Sequence, residues 1–165
     1  MMQLRPATRD ELGYLVALAR NPEIAPYLAP GTEERLEETL EERAVLGEPF
    51  GLFVVEAHGG EALGAVALRA GSARSGICNL RQLMVDPMAR RRGVGTAAVR
   101  LVCHRALLEH GCHRVQSESF GDNHAAHRVF ERVGFVREGV RRLAYLRDGE
   151  WVDGVLHGLL AGELT

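Results

Sequence analysis

The chain contains no lysine: all 20 of its basic residues are arginine, set against 22 acidic ones for a formal net charge of −2. A nucleotide loop of the Gly-Lys-Ser/Thr kind is thereby excluded, because that chemistry needs the lysine. The slightly acidic total argues against a general nucleic-acid binder, which carries a basic face in a basic chain. Cysteine is scarce as well. Cys78, Cys103 and Cys112 form an odd set without a CxxC pair, which reads as reduced thiols rather than a disulfide framework or a zinc site. No apolar stretch approaches the roughly 20 residues of a bilayer helix, so no membrane partner is expected. MMQLRPATRDEL shows no charged-then-apolar leader pattern, which predicts a cytoplasmic location.

What is present is an ordinary globular composition, 46% hydrophobic over 165 residues, enough for one core. One domain spanning 1–165 is expected. MQLRPA alternates like a strand, and Thr8 with Glu11 three residues on marks a helix start. Asn21-Pro22, Pro26, Pro30 and Gly31 interrupt. A second, more solvated helix follows from Thr32, with Leu36, Leu40 and Ala44 on one face. From Gly51 the pattern becomes strand-like: GLFVVEA, a turn at 58–60, ALGAVALRA and ICNLRQLMV, an antiparallel meander. Val94, Ala97, Ala98, Leu101 and Leu108 then recur at helical spacing up to Gly111. RVQSESF is a strand, Asn123 to Arg132 a helix closed by Gly134, and two strands joined at Arg147-Asp148-Gly149 end the chain. The order is β-α-α-β-β-β-α-β-α-β-β. It predicts an α+β fold, with a central mixed, mostly antiparallel sheet of about seven strands and helices on both faces.

Residues 86–101, DPMARRRGVGTAAVRL, place three arginines and two glycines between a strand and a helix. Backbone N–H groups between Arg91 and Thr96 have no intrahelical acceptor there and point from the positive end of a helix dipole. Gly93 and Gly95 let an anion approach the backbone, and Arg90, Arg91 and Arg92 raise the local potential. The pattern suits a diphosphate, although a solvated turn also accounts for it. Gly93 to Ala98 is also literally GxGxxA, with Glu118 downstream, as in a dinucleotide fingerprint. That fold, however, puts its glycines directly after the strand, and here Pro87 to Arg92 intervene.

Arg90-x-x-Gly93-x-Gly95, preceded by Leu83-x-Val85-x-Pro87, resembles the acetyl-CoA motif of the GCN5-related N-acetyltransferases. Asn123-x-x-Ala126 followed by Phe130-Glu131-Arg132-x-Gly134-Phe135 is similar to that family's second signature, about 30 residues on. The C-terminal run resembles bacterial ribosomal-protein and amino-acid N-acetyltransferases. The resemblance implies that the backbone from Arg91 through Gly93, Val94 and Gly95 to Thr96 holds the CoA pyrophosphate. It implies also that the strand edge at Leu83, Met84 and Val85 pairs with the pantetheine arm, beside a bulge whose N–H faces the thioester oxygen. Asn123, Ala126 and Phe130 would line the thiol end, with Arg128 or Arg132 near a phosphate.

The chain departs from the family pattern in two places. Phe130 stands where many relatives carry a tyrosine acid, and ICNLRQLMV has no carboxylate where many carry a base. A thiol with a pKa near 8.5 leaves tolerably as thiolate, and Tyr145 is the candidate acid, though it also reads as a packed sheet aromatic. Glu118 matches a glutamate of the ribosomal-protein enzymes and is the candidate base; it reads also as a solvent-side strand residue. Asp86 is expected to cap its turn. Tyr27, Glu33 and Glu34 are candidate acceptor contacts, because the resemblance places the first two helices beside the acceptor.

With no strong base evident, an α-amino group of pKa near 8 is the expected acceptor, since a lysine amine near 10.4 costs roughly 3 kcal/mol more to deprotonate. The reading is therefore acetyl transfer from acetyl-CoA to a small-molecule or peptide amine by direct attack. The cysteines have no triad context for a covalent intermediate. His124 with His127, and His104, His110 and His113, lack ligand spacing and read as surface residues, so no metal is expected. A non-catalytic acyl-CoA sensor is the rival reading, and a nicotinamide-binding domain a third. Oligomeric state is left open, a homodimer among the states admitted.

Overall fold

Residues 51–57, GLFVVEA, are apolar at almost every position instead of alternating, and a strand of that kind must be covered on both faces. In the computed structural model, which describes residues 1–72 and 75–165, it is. Strand β1 (Met2–Pro6) is followed by helices α1 (Leu12–Arg20) and α2 (Thr32–Leu46), then strands β2 (Gly51–Ala57), β3 (Ala62–Ser72) and β4 (Ile77–Val85). Helix α3 (Val94–His104), strand β5 (Arg114–Phe120), helix α4 (His124–Val133) and strands β6 (Val136–Arg147) and β7 (Glu150–Leu160) complete the chain. The strands form one sheet in the order β1-β2-β3-β4-β5-β7-β6. Leu52 and Val54 face a core made with Leu15, Leu18 and Leu36 of α1 and α2. Phe53 and Val55 face the opposite core, made with Val99, Val102, Phe130 and Val133 of α3 and α4. The expected fold class and element order are both observed.

Local chemistry sets the element boundaries. The Glu11 carboxylate accepts from the Thr8 backbone N–H at 2.9 Å at the entrance to α1, the reciprocal half of a capping arrangement. The Arg5 guanidinium beside Glu11 holds that carboxyl down at about 2. Asp148 and Gly149 both adopt positive φ, 52° and 81°, in the β6–β7 turn, as a tight two-residue hairpin requires.

Two details of the helices differ from expectation. On α2 the inward residues are Thr32, Leu36 and Thr39, while Ala44 is exposed; the buried Thr39 hydroxyl is satisfied by donating to the Arg35 carbonyl at 2.8 Å. After α3, residues Arg105–Glu109 form a π-helical turn, with the His110 N–H donating to the Arg105 carbonyl at 3.1 Å. Ala106 and Leu107 are buried, in step with Val99, Val102 and Cys103 of α3, and Leu108, expected inside, is 55% exposed.

Among the described residues, only one neighbouring pair in the sheet is parallel, β4 with β5, and its registered pairing covers just Ile77–Asn79 against Arg114–Gln116. Past that point the two strands part. β5 is held instead along its whole length by β7, from Arg114 against Leu160 to Phe120 against Gly154. β4 is held by β3, with a bulge in which Gln82 and Leu83 stand opposite the single residue Val66. Gln82 has φ +53°. Bulges of this kind bend a strand and re-aim its side chains. The result is a V-shaped opening between β4 and β5, and it positions everything described next.

Gly134 ends α4 with φ +107°, and a Cβ there would lie 1.9 Å from the Glu163 carbonyl oxygen. Gly134→Ala combines backbone strain with a steric clash and should destabilise by about 2–4 kcal/mol. A thermal melt reads this as a drop of several degrees; an unchanged Tm would mean that the C-terminal segment does not pack against α4.

Candidate active site

The opening between β4 and β5 is a cleft of about 760 Å³. Its walls come from the α1–α2 connection, from β3, β4 and β5, and from α4. Strand alternation decides which residues of β4 face it. Leu83 and Val85 line the cleft, whereas the Met84 side chain is 1% exposed and packs against α1 and α2. Of the three residues on that strand edge, Met84 thus presents backbone only. Among the described residues, the edge from Leu80 to Val85 has no strand paired to it on the β5 side.

At one end of the cleft lies the glycine-arginine turn. Asp86 accepts from the Met88 N–H at 2.9 Å, the expected capping role. Arg91 and Gly93 both have left-handed backbone, φ +62° and +75°. The N-terminus of α3 at Gly93 has no side-chain cap among the described residues, so the first N–H groups of the helix, on Val94, Gly95 and Thr96, have no side-chain acceptor there. A non-glycine residue held left-handed costs of order 1 kcal/mol, and successive N–H groups in such a turn form an anion-binding concavity. Arg90 and Gly95 line the cleft. Arg91 and Arg92 are exposed and do not line it, and Val94 is buried in the core.

Across from the turn, Asn123, Ala126, Arg128, Val129 and Phe130 of α4 line the cleft, and Arg132 does not. The Asn123 carbonyl oxygen is already used as the cap of α4, accepting from the Ala126 N–H at 3.2 Å; its amide N–H₂ is left for other partners. Phe130 is 2% exposed and packs on Phe135 and His157, with ring centroids 5.1 and 5.3 Å away.

Glu118 lines the cleft from β5. Its carboxylate accepts from Arg141 Nη1 at 3.2 Å, and the same nitrogen donates to the Tyr145 hydroxyl at 3.2 Å. Partial burial and a hydrogen bond with Glu118 push the Tyr145 phenol upward, so it carries its proton at neutral pH. Tyr145 also packs edge-on against Phe120 at 5.7 Å. Gly154 makes this meeting possible: a Cβ there would lie 2.3 Å from Glu118 Oε1 and 2.7 Å from the Tyr145 ring. Glu118 and Tyr145, 27 positions apart in the sequence, are brought together over a bare stretch of β7.

Other cleft residues are not apparent from the sequence patterns. Arg35, Arg69, Arg81, Gln82, Ser119 and Asp122 all line it. The signal for two of them was present, in that Arg81 and Gln82 are polar letters inside an otherwise apolar strand. Gln82 Oε1 and Ser119 Oγ are buried without a hydrogen-bond partner among the described residues. Tyr27 lines the cleft, while Glu33 and Glu34 line a separate shallow recess.

The histidines divide differently from expectation. His127 is 8% exposed and donates from Nε2 to the Phe120 carbonyl at 3.1 Å; its spacing on α4 turns it under the sheet rather than to the surface. Its ring lies 5.4 Å from that of His157, which is 1% exposed. Burial lowers the pKa of both. His104 is a surface residue beside Glu109. Among the described residues no group of three or more His, Cys, Asp and Glu is arranged to hold a metal ion.

A family model described as acetyltransferase (GNAT) family matches residues 15–135. The Bacillus subtilis (strain 168) protein named Probable N-acetyltransferase YjcK is 35% identical over 77 residues, 47% of this chain and 41% of that relative. The match thus spans about two fifths of the curated relative's length. Among solved structures, the spermidine N-acetyltransferase from Vibrio cholerae in complex with CoA and spermine superposes with a TM-score of 0.82 at 21% identity, covering 98% of this chain and 96% of that one. A point mutant of the spermidine N-acetyltransferase from the same organism gives 0.79 at 20% identity, covering 96% and 93%. At that identity the likeness establishes a shared fold.

The buried histidines predict a pH dependence of stability. Both have folded-state pKa values below the ordinary 6.5, so above that pH they are neutral in either state and contribute no slope. As pH falls below about 6.5 the unfolded chain takes up protons that the folded chain does not, and stability declines by about 1.4 kcal/mol per unit of depression. Carboxylates held low by arginine, such as Glu11 and Glu48 at about 2, add their loss only below about pH 4.5. Urea midpoints should therefore fall between pH 6.5 and 5, and His127→Gln with His157→Phe should flatten that segment; an equal slope in the double variant assigns the loss elsewhere.

Proposed function

This chain belongs to the acetyltransferase (GNAT) family, and from that premise we propose that it is an acetyl-CoA-dependent N-acetyltransferase whose amine acceptor attacks the bound thioester directly. The observation that carries the reading is the parting of β4 from β5 beside an uncapped, left-handed turn. A cofactor with a diphosphate at one end and an amide-bearing arm at the other needs that combination, an anion-binding concavity continuous with a free strand edge. The fit is supported by Gln82 Oε1 and Ser119 Oγ, buried polar atoms that a ligand in the cleft would reach.

Acetyl-CoA supplies an activated acyl group. The residues supply position and proton handling. Backbone N–H groups from Arg91 to Thr96 hold the diphosphate, with Arg128 adding charge, while Arg90 on the same turn is shared with Glu23. The free edge at Leu83, Met84 and Val85 orients the arm, and an N–H past the bulge donates to the carbonyl oxygen as it gains charge. Asn123, Ala126 and Phe130 shape the thiol end. Phe130 has no proton to give, so the thiol departs as thiolate or takes a proton from the Tyr145 hydroxyl. Glu118 accepts the proton of the amine. The acceptor in this reading is an α-amino group, which needs less help from a base than a lysine side chain does. The relatives named as N-acetyltransferases favour catalysis over a non-catalytic acyl-CoA sensor, and a cytoplasmic site of action belongs to the same reading.

Thiol release from acetyl-CoA with α-amine acceptors tests the proposal. Glu118→Gln should lower kcat/KM for the amine by roughly 10²–10⁴-fold while acetyl-CoA still raises the melting temperature. An unchanged rate removes Glu118 as base. Equal kcat/KM for a lysine side chain and a matched α-amine removes the preference for a low-pKa acceptor.

A further inference from the structure

The ion pairs around the cleft leave a charge pattern that bears on what the acceptor carries besides its amine. Four arginines at or near the walls are committed to carboxylates. Arg69 pairs with Glu42 at 2.6 Å, Arg141 with Glu118 at 3.2 Å and Arg90 with Glu23 at 3.4 Å, while Arg147 pairs with Asp122. Three cleft arginines remain. Arg128 sits on α4, next to Val129, which approaches Gly95 of the turn, and so belongs to the diphosphate end. Arg35 and Arg81 lie on the other face of the sheet, and among the described residues neither has a carboxylate within ion-pair distance.

The fold puts Arg81 on the same face of the sheet as Glu118, the face that α1 and α2 cover. Leu80 faces the α3–α4 core, so alternation turns Asn79 and Arg81 to the α1–α2 face; on β5, Val115 faces the α3–α4 core, which turns Gln116 and Glu118 the same way. Gln116 Nε2 donates to Asn79 Oδ1 at 3.0 Å across the short parallel pair, which fixes this register. Arg35, near the N-terminal end of α2, lines the same cleft, its guanidinium beside Gly31. The cleft carboxylates are each shared with an arginine, Glu118 with Arg141, Asp122 with Arg147 and Glu23 with Arg90, so among the described residues Arg81 and Arg35 are the charged groups on this face without a partner of opposite sign.

We propose that the acceptor is an amino acid whose free carboxylate is read by Arg81 and Arg35 while its α-amine faces Glu118. The inference rests on the acetyltransferase reading above and narrows its substrate. A guanidinium presents paired N–H donors that match a carboxylate, giving charge-assisted bonds stronger than neutral ones. A polyamine brings two or more positive charges into a space whose unpaired groups are positive, and this opposes its binding. Pairing also assists the chemistry. A neighbouring carboxylate holds an α-ammonium ion in its charged form, and neutralising it against arginine eases loss of the proton to Glu118.

The test is thiol release from acetyl-CoA with the common α-amino acids, their amides and spermidine, and with Arg81→Gln and Arg35→Gln beside the parent. The amide amine deprotonates more readily, so intrinsic reactivity favours the amide, and a preference for the acid has to come from the site. The best amino acid should exceed its own amide and spermidine by at least 10-fold in kcat/KM. Each glutamine variant should reduce that acid-to-amide ratio by about 10-fold or more, mainly through KM, with Arg81→Lys restoring part of it. Acetyl-CoA must still raise the melting temperature of each variant, which shows that it folds. An amide or spermidine as good as the acid, or variants that lower acid and amide alike, overturns this inference and leaves the acetyltransferase reading intact. No thiol release with any amine and no thermal protection by acetyl-CoA overturns both.

Discussion

The site depends on a pairing that stops early. A parallel ladder between β4 and β5 begins at Ile77 and Arg114 and ends at Asn79 and Gln116. The remainder of each strand is held by its other neighbour, β3 for β4 and β7 for β5. Unpaired backbone polar groups in a sheet interior are costly unless a ligand or water meets them, so a gap of this kind marks a place where something else is meant to bind. The bulge at Gln82 and Leu83 bends β4 away, and the antiparallel hairpin of β6 and β7 keeps β5 from following. Without either support the two strands would zip further and close the cleft.

Arginine serves three purposes in a chain without lysine. Some guanidiniums tie elements together, as Arg5 does between Glu11 and Glu56, and Arg105 to Glu48. Arg141 joins Glu118 to Tyr145. Others are left unpaired inside the cleft. Exposed pairs contribute little to stability, about 0–1 kcal/mol each, so their effect here is on charge distribution. Each pair cancels one carboxylate, and the potential of the cleft is decided by the arginines with no partner. A count of charges along the chain cannot reveal that outcome, because a net charge of −2 is compatible with a positive cleft.

Much was legible in the letters. The full apolar cover of β2, the glycine stops after α4 and in the last hairpin, and the Asp86 cap all follow from local rules of period, turn chemistry and capping. The glycine-arginine turn declared itself too, since bare backbone and arginine together at a helix start have few other uses. Illegible were facts that depend on the angular phase of a helix or on distant partners. Leu108 falls outside the buried stripe that runs through Val99, Val102, Cys103 and Ala106, Thr39 rather than Ala44 lies on the inner face of α2, and His127 turns under the sheet beside His157. In each case the helical period holds, and its phase is set by packing against the rest of the fold.

The sequence by itself determined the order of elements, the mixed sheet with helices on both faces, and the place where an anion meets the backbone, because each of these is written in contiguous residues. The tertiary structure alone decided which polar side chains share the cleft. Glu118 meets Tyr145 only because Gly154, on a third strand, leaves room for both. Arg35 of α2 and Arg81 of β4 line one cleft because the strands part after Asn79. Such meetings depend on packing between elements far apart in the chain, and no local pattern carries that information.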